Sequence, residues 1–242
     1  MQRIVGEQHC IGTLARQGAK RAFEIADAAR FNGLIMWAAG TTGPVAPPGT
    51  YSVRLTAGEE SQSFPFKVRK DPRSGATDAD LQEQFKLLIA IRDKTTEANN
   101  AIRLARNMRW NVSDRAGKLS AQQQSEFKTI ADGMMKDVTS NEESVYQTKN
   151  QSSQDPLNYP IRLNNKIASL AGVVGNGEYK PTKQAYDVYS ELVGKLDAQV
   201  KAMNKVLDDR LPQLNAILRA AGLAELKKSF EEIKPQRPNV AM

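Results

Sequence analysis

The chain has 242 residues, 40% of them apolar and only 6% aromatic, with a net charge of +7 and a pI near 9.4. That length accommodates one or two domains with a proper hydrophobic core, and the low aromatic share suits helices filled with Leu, Ile, Val, Met and Ala. Cys10 is the only cysteine, which excludes an intrachain disulfide and a cysteine-built metal cage.

No run of about 18 apolar residues exists to span a membrane. The densest basic run is Lys67, Arg69, Lys70 and Arg73, interrupted by Asp71; elsewhere Lys and Arg alternate with Asp and Glu. A solvated surface accounts for this pattern better than a nucleic-acid footprint, which concentrates on one face beside aromatics or a known motif.

Along the chain, Leu14 to Phe31 has helical composition weakened by Gly18, and Asn32-Gly33 is a turn signal. Leu34, Ile35, Met36 and Trp37 read as a short apolar strand. Gly40 to Gly49 is a loop rich in Gly, Pro and Thr, leading into a predicted β-hairpin. Tyr51, Val53 and Leu55 alternate with Ser52 and Arg54, Ala57 and Gly58 make the turn, and Phe64, Phe66 and Val68 answer on the return strand. Pro65 has no N–H for a ladder, so the return strand is an edge or is bulged there. Two strands alone are marginal in water, and an immunoglobulin-like sandwich needs about seven. The segment therefore reads as the end of something larger.

From Asp78 the period becomes helical. Thr77 or Asp78 caps the start, with Asp80 in the first turn. Leu81, Phe85, Leu88, Ile91, Thr95, Ala98, Ile102, Ala105 and Met108 form one long stripe, broken at Gly117. Ser120 opens a second helix with Phe127, Ile130, Met134, Val138, Asn141 and Val145 on one face. Gln147 to Tyr159 is a polar loop containing Pro156. A third helix follows Pro160, carries Leu163, Ile167, Leu170 and Val174, and ends at Gly175-Asn176-Gly177. Pro181 is placed in the first turn of a fourth helix with Ala185, Tyr189, Leu192, Leu196, Val200, Met203 and Leu207 inward. Pro212 kinks or restarts it before Leu214, Ile217, Leu218 and Gly222. The expected fold class is α+β, mainly α: a small partial immunoglobulin-like β segment followed by an antiparallel helical bundle. The domains are residues 1–76 (partial β-sandwich with an ambiguous N-terminal stretch), 77–234 (bundle) and 235–242 (tail).

Chemistry is sparse. His9 is the sole histidine, so neither a histidine triad nor a histidine metal site has partners in view. Cys10, next to His9, would be a nucleophile only with a base and an oxyanion hole, and nothing nearby clearly supplies them. No GxxxxGK[ST] motif occurs, and no GxGxxG follows a strand. Gly175-Asn176-Gly177 reads as a helix-ending turn. Glu142 and Glu143, or Asp208 and Asp209, are adjacent on a helix and point apart. Tyr159, Tyr186 and Tyr189 read as packing, and Trp37 as a buried strand residue. No catalytic, cofactor-binding or metal-ligating residue is assigned, and no cofactor is expected.

Two segments carry a family resemblance: GLIMWAAGTTGPVAPPGTYSVRL and QDPLNYPIRLNNKIASLAGVVGNGEYKPTKQAYDVYSEL. They resemble the C-terminal region of bacterial sortilin-like, Asp-box (BNR) glycosyl-hydrolase-like β-propeller proteins, in the expected order from Ala28 to Leu223. LNYPIRLNNK is the most distinctive stretch. No Ser-x-Asp-x-Gly-x-x-Trp repeat occurs here, so the resemblance brings over no catalytic residue. It implies a non-catalytic accessory and interaction module of a larger exported protein. Its partner would be a protein, either a β-propeller domain or the missing N-terminal part, rather than nucleic acid. The implied compartment is the periplasm or the outside of the cell. The N-terminus carries no signal peptide, so a genuine start would make the chain cytoplasmic, whereas a truncated or split gene would not. One alternative is a sialidase-like glycoside hydrolase fragment without its catalytic propeller, and a second is a basic, helical nucleic-acid binder. Removal of residues 1–76 is expected from these patterns to leave a cooperatively melting bundle, checked by circular dichroism against temperature.

Overall fold

The structure is a computed structural model that describes residues 34, 36, 37, 39 and 44–229. The predicted helix at Leu14 to Phe31, the Asn32-Gly33 turn, His9, Cys10 and the 235–242 tail lie outside them. Within them the fold is mainly α with a small sheet: β1 (Gly49–Ala57), β2 (Glu60–Val68), α1 (Asp78–Ala116), α2 (Ala121–Val145), α3 (Leu163–Val174) and α4 (Lys183–Ala220). The two strands form a two-stranded antiparallel sheet, and the helices form the bundle.

α1, α2 and α4 start where side chains can satisfy the first free N–H groups, whereas Arg162 before α3 makes no side-chain cap bond. The Thr77 hydroxyl accepts from the Asp80 amide at 3.1 Å, and the Asp80 carboxylate accepts from the Thr77 amide at 2.9 Å. The Thr77 hydroxyl, followed by its amide, holds the Asp80 carboxyl below the usual carboxylate range. Ser120 and Gln123 make the equivalent box for α2. Thr182 caps α4, so Pro181 stands just before the cap instead of inside the first turn. Pro212 does not restart the chain: α4 is one helix through it, held by Leu211, Leu214 and Leu218 in the core on either side.

α1 and α4 are parallel. The Tyr189 hydroxyl donates to the Ala90 carbonyl at 3.2 Å, and one turn further on Lys94 pairs with Asp197 at 2.8 Å. α2 and α3 run antiparallel to both. Gln124 on α2 reaches Ala116, and Glu142 reaches Arg106. Asn164 on α3 then reaches Asn99, and the end of α3 at Val174 meets Gln84. At about 1.5 Å per residue, α1 is about 58 Å long, whereas α2 and α3 measure about 37 and 18 Å. Placed end to end, these two cover the whole of α1. The bundle is thus three helices deep, with its third position shared.

Two apolar clusters result. One joins α1, α2 and α4 around Met108, Phe127, Met134, Leu207 and Leu214. The other joins α1, α3 and α4 around Ile91, Ile102, Tyr146, Ile167 and Leu196. Most of the predicted stripe residues are buried; Ile130, Leu163, Tyr189, Leu192, Val200 and Ile217 are half-buried at the margins. Gln84 and Leu87 are buried in α1 while Phe85 is half-exposed, and Glu142 is buried in α2 in place of Asn141.

The expected strand at Leu34 to Trp37 is not a strand among the described residues. Leu34 is 2% exposed and belongs to the second apolar cluster. The Trp37 N–H donates to Asn165 Oδ1 at 2.7 Å, and Asn165 Nδ2 donates back to the Trp37 carbonyl at 2.6 Å. A side-chain amide on α3 thus occupies the place a neighbouring strand would take, and no sheet is needed to satisfy this backbone.

The bundle therefore draws on residues that precede the hairpin, and a chain starting at residue 77 lacks them. Leu34→Ala is expected to destabilise the protein by about 2–5 kcal/mol. Replacing residues 49–68 with a short Gly/Ser linker is expected to leave the urea midpoint of the helical signal unchanged. Equilibrium urea unfolding of both variants checks this pair of outcomes.

Candidate interaction surface

Ala57 pairs with Glu60 across a two-residue turn, so the turn is Gly58-Glu59, one residue later than the pattern suggested. Gly58 takes a φ of 62°, at the first central position of a two-residue hairpin turn, where glycine is favoured. The ladder continues without a bulge: Leu55 opposite Gln62, Val53 opposite Phe64, Ser52 opposite Pro65 and Tyr51 opposite Phe66. Directly opposed residues share a face, so Tyr51, Val53, Leu55, Phe64 and Phe66 form one apolar surface. The Tyr51 and Phe66 rings lie 5.8 Å apart at 31°, and the Tyr51 hydroxyl donates to the Pro47 carbonyl at 2.7 Å.

That surface is only lightly covered by the described residues. Leu55 is 64% exposed, Phe64 54% and Phe66 40%. The hairpin is rooted through Pro47, which is buried, and through Gln82, whose amide donates to the Pro48 carbonyl at 3.2 Å. Beside the root is an open cleft of about 490 Å³ between Pro44–Pro48 and Lys70 on one side and Leu81, Gln84, Phe85 and Gly172 on the other.

Two members of the basic run near the root, Lys70 and Arg73, are tied down locally, whereas Lys67 and Arg69 are exposed. Lys70 donates to the Ser74 and Ala76 carbonyls. Arg73 pairs with Asp71 at 2.7 Å, and its guanidinium holds the Asp71 carboxyl below its ordinary range.

The carboxylate pairs of the helices do not converge. Glu142 is buried, with Arg106 at 3.0 Å and Arg109 at 2.7 Å, while Glu143 is exposed. Asp208 pairs with Lys228 and Asp209 with Lys205. Among the described residues no three His, Cys, Asp or Glu side chains gather to hold a metal. At Gly175-Asn176-Gly177 the Gly175 and Gly177 amides already donate to the Ala171 and Gly175 carbonyls at 2.8 and 3.1 Å, and Gln84 Nε2 donates to the Val174 and Gly177 carbonyls at 2.8 Å each. That is the end of α3, not a phosphate cradle. Tyr189 is anchored to Ala90, and burial pushes its hydroxyl above the ordinary pKa. Tyr186 packs against the second apolar cluster, and Tyr159 lies 5.6 Å below the Lys149 ammonium.

The sequence patterns do not single out Arg106 or Arg109, and name Glu142 only as half of an adjacent carboxylate pair. Arg106, Arg109 and Glu142 form a two-helix clamp, and Arg106 also lies 5.2 Å over the Tyr146 ring. The signal for it is present in the sequence: Glu142 continues the 3–4 spacing of Phe127, Ala131, Met134 and Val138, and the arginines are three apart on α1. No helix among the described residues is long and apolar enough to cross a membrane. Comparison of the chain with protein-family models, curated proteins and solved structures found no match.

Glu142 is buried, but Arg106 and Arg109 are 35% and 44% exposed, so water reaches the guanidinium groups that its removal leaves. Glu142→Ala is expected to lower stability by about 1–2 kcal/mol through its lost charged hydrogen bonds, and Glu143→Ala by less than about 0.5 kcal/mol. Chemical denaturation of the two variants measures the difference.

Proposed function

We propose that this chain is a non-catalytic accessory and interaction module of a larger exported β-propeller protein, docking through its hairpin. One observation carries the reading: an ordered two-stranded sheet whose apolar face, Leu55, Phe64 and Phe66, is not covered by the bundle it is rooted in. Burying that face contributes about 25 cal/mol per Å² of apolar surface removed from water, a gain that a partner covering it would realise. The family resemblance of the GLIMWAAGTTGPVAPPGTYSVRL and LNYPIRLNNK stretches supports a propeller as that partner, and it does so by analogy. The dispersed carboxylates and locally paired basic residues give no support to the glycosidase or nucleic-acid alternatives.

The test begins with the DNA directly upstream, read in all frames for Asp-box repeats, and with that segment produced as a separate polypeptide. It is expected to bind this chain with a Kd on the order of micromolar or tighter. The double variant Phe64→Ser, Phe66→Ser is expected to weaken binding at least about tenfold while the melting temperature of the helices stays put. Absence of such repeats, undiminished binding by the double variant, or turnover of sialosides or other glycosides by this chain alone would overturn the proposal.

A further inference from the structure

The hairpin has two outer edges, and the register makes them chemically different. Ala57 and Glu60 flank the two-residue turn, so they exchange both backbone hydrogen bonds, and bonded and non-bonded pairs alternate from there. Tyr51, Val53 and Leu55 therefore bond to β2. Thr50, Ser52, Arg54 and Thr56 turn their N–H and C=O groups outward, as do Ser61, Ser63 and Lys67 on β2. Side chains approach most closely at non-bonded pairs. The two side-chain bonds across the hairpin fall at such pairs, Thr56 to Ser61 at 2.7 Å and Arg54 to Ser63 at 3.4 Å.

Pro65 belongs to the outward-facing set of β2. It leaves the inner ladder intact and removes one donor from the middle of the outer edge, where its ring also obstructs a neighbouring strand. The β1 edge has no such interruption over Thr50, Ser52, Arg54 and Thr56. At its centre stands Arg54, which has no carboxylate partner among the described residues. No described strand lies beside β1.

We propose that β1 is a docking edge for one extended strand of a partner protein, added to the sheet beside it. The added strand carries apolar residues at alternate positions, extending the face of Tyr51, Val53 and Leu55, and a carboxylate on the other face opposite Arg54. Main-chain bonds supply the pairing and the alternation supplies the register. The β2 edge is closed to the same mode by Pro65. This inference rests on the docking reading above and deepens it by specifying the edge and the chemistry of the partner segment.

The probe is a synthetic nine-residue peptide that alternates Val with Thr and has Glu at the central polar position, added to the ¹⁵N-labelled full chain. Before addition, the amides of Ser52, Arg54 and Thr56 are expected to exchange freely while those of Val53 and Leu55 are protected. The peptide is expected to slow exchange at Ser52, Arg54 and Thr56. Ser52→Pro, which places on β1 what Pro65 already places on β2, is expected to weaken binding about tenfold or more. Ser63→Pro is expected to leave binding unchanged, and a peptide with Lys for Glu is expected to bind more weakly. The inference falls if Ser52, Arg54 and Thr56 are already protected in the free chain, which would mean the edge is occupied by this chain or a second copy. It falls equally if the peptide does not bind, or if Ser52→Pro and Ser63→Pro act alike. Failure here, with the upstream segment still binding through Phe64 and Phe66, would remove the edge assignment and leave the docking reading standing.

Discussion

Covering one apolar stripe along a helix of 39 residues is the constraint that shapes this protein. A helix that long exceeds most globular helices, and exposure of its stripe to water would forfeit most of the folding energy. α4 matches it in length and covers one flank. The other flank is covered in two pieces, α2 and then α3, whose summed length equals that of α1. The two apolar clusters are a direct consequence, since each piece makes its own three-helix core with the same two long helices.

Division of the third position has a cost in backbone satisfaction, because residues 146–162 leave helical bonding at the middle of the bundle and other segments lie against its ends. Carboxamide side chains answer it. A primary amide carries both a donor and an acceptor, the same groups as a peptide unit. Asn165 brackets the N–H and C=O of Trp37, and Asn215 brackets those of Leu226 at 2.8 and 3.0 Å. Gln84 holds the last carbonyls of α3, and Gln147 bonds Pro160 and Lys149 within the interhelical loop. An orphaned buried group costs about 1–3 kcal/mol, so these bonds fix where each non-helical segment docks as well as stabilising it. The Glu142 clamp serves the same end at the level where α2 gives way to α3.

The hairpin stands apart from this logic. Its strands meet each other along nine pairs, and among the described residues they touch the bundle at the root, so its apolar face contributes to sheet pairing and little to the described core. No described strand lies beside either edge, and that of β2 is interrupted by proline.

Much of the architecture was legible in the residue order because helices and hairpins are local. The 3–4 spacing from Leu81 to Met108, the helix starts at Thr77 and Ser120, and the alternation of Tyr51, Val53 and Leu55 depend on neighbours within a few positions. Other features depend on what lies across the bundle. Leu34 to Trp37 looked like a strand because an apolar run of four carries no period of its own; Asn165, 128 residues away, decided otherwise. Asn141 and Glu142 both continue a 3–4 spacing on α2, and Arg106 and Arg109 across the bundle meet Glu142, the one that faces inward. Pro65 announced an edge, but which of its two sides met β1 was set by the register. The chain itself thus determined its periods, caps and turns, which are short-range sterics and hydrogen bonding. Tertiary packing alone decided which polar groups were buried together and which apolar face the described residues leave exposed, because those choices depend on partners distant in sequence.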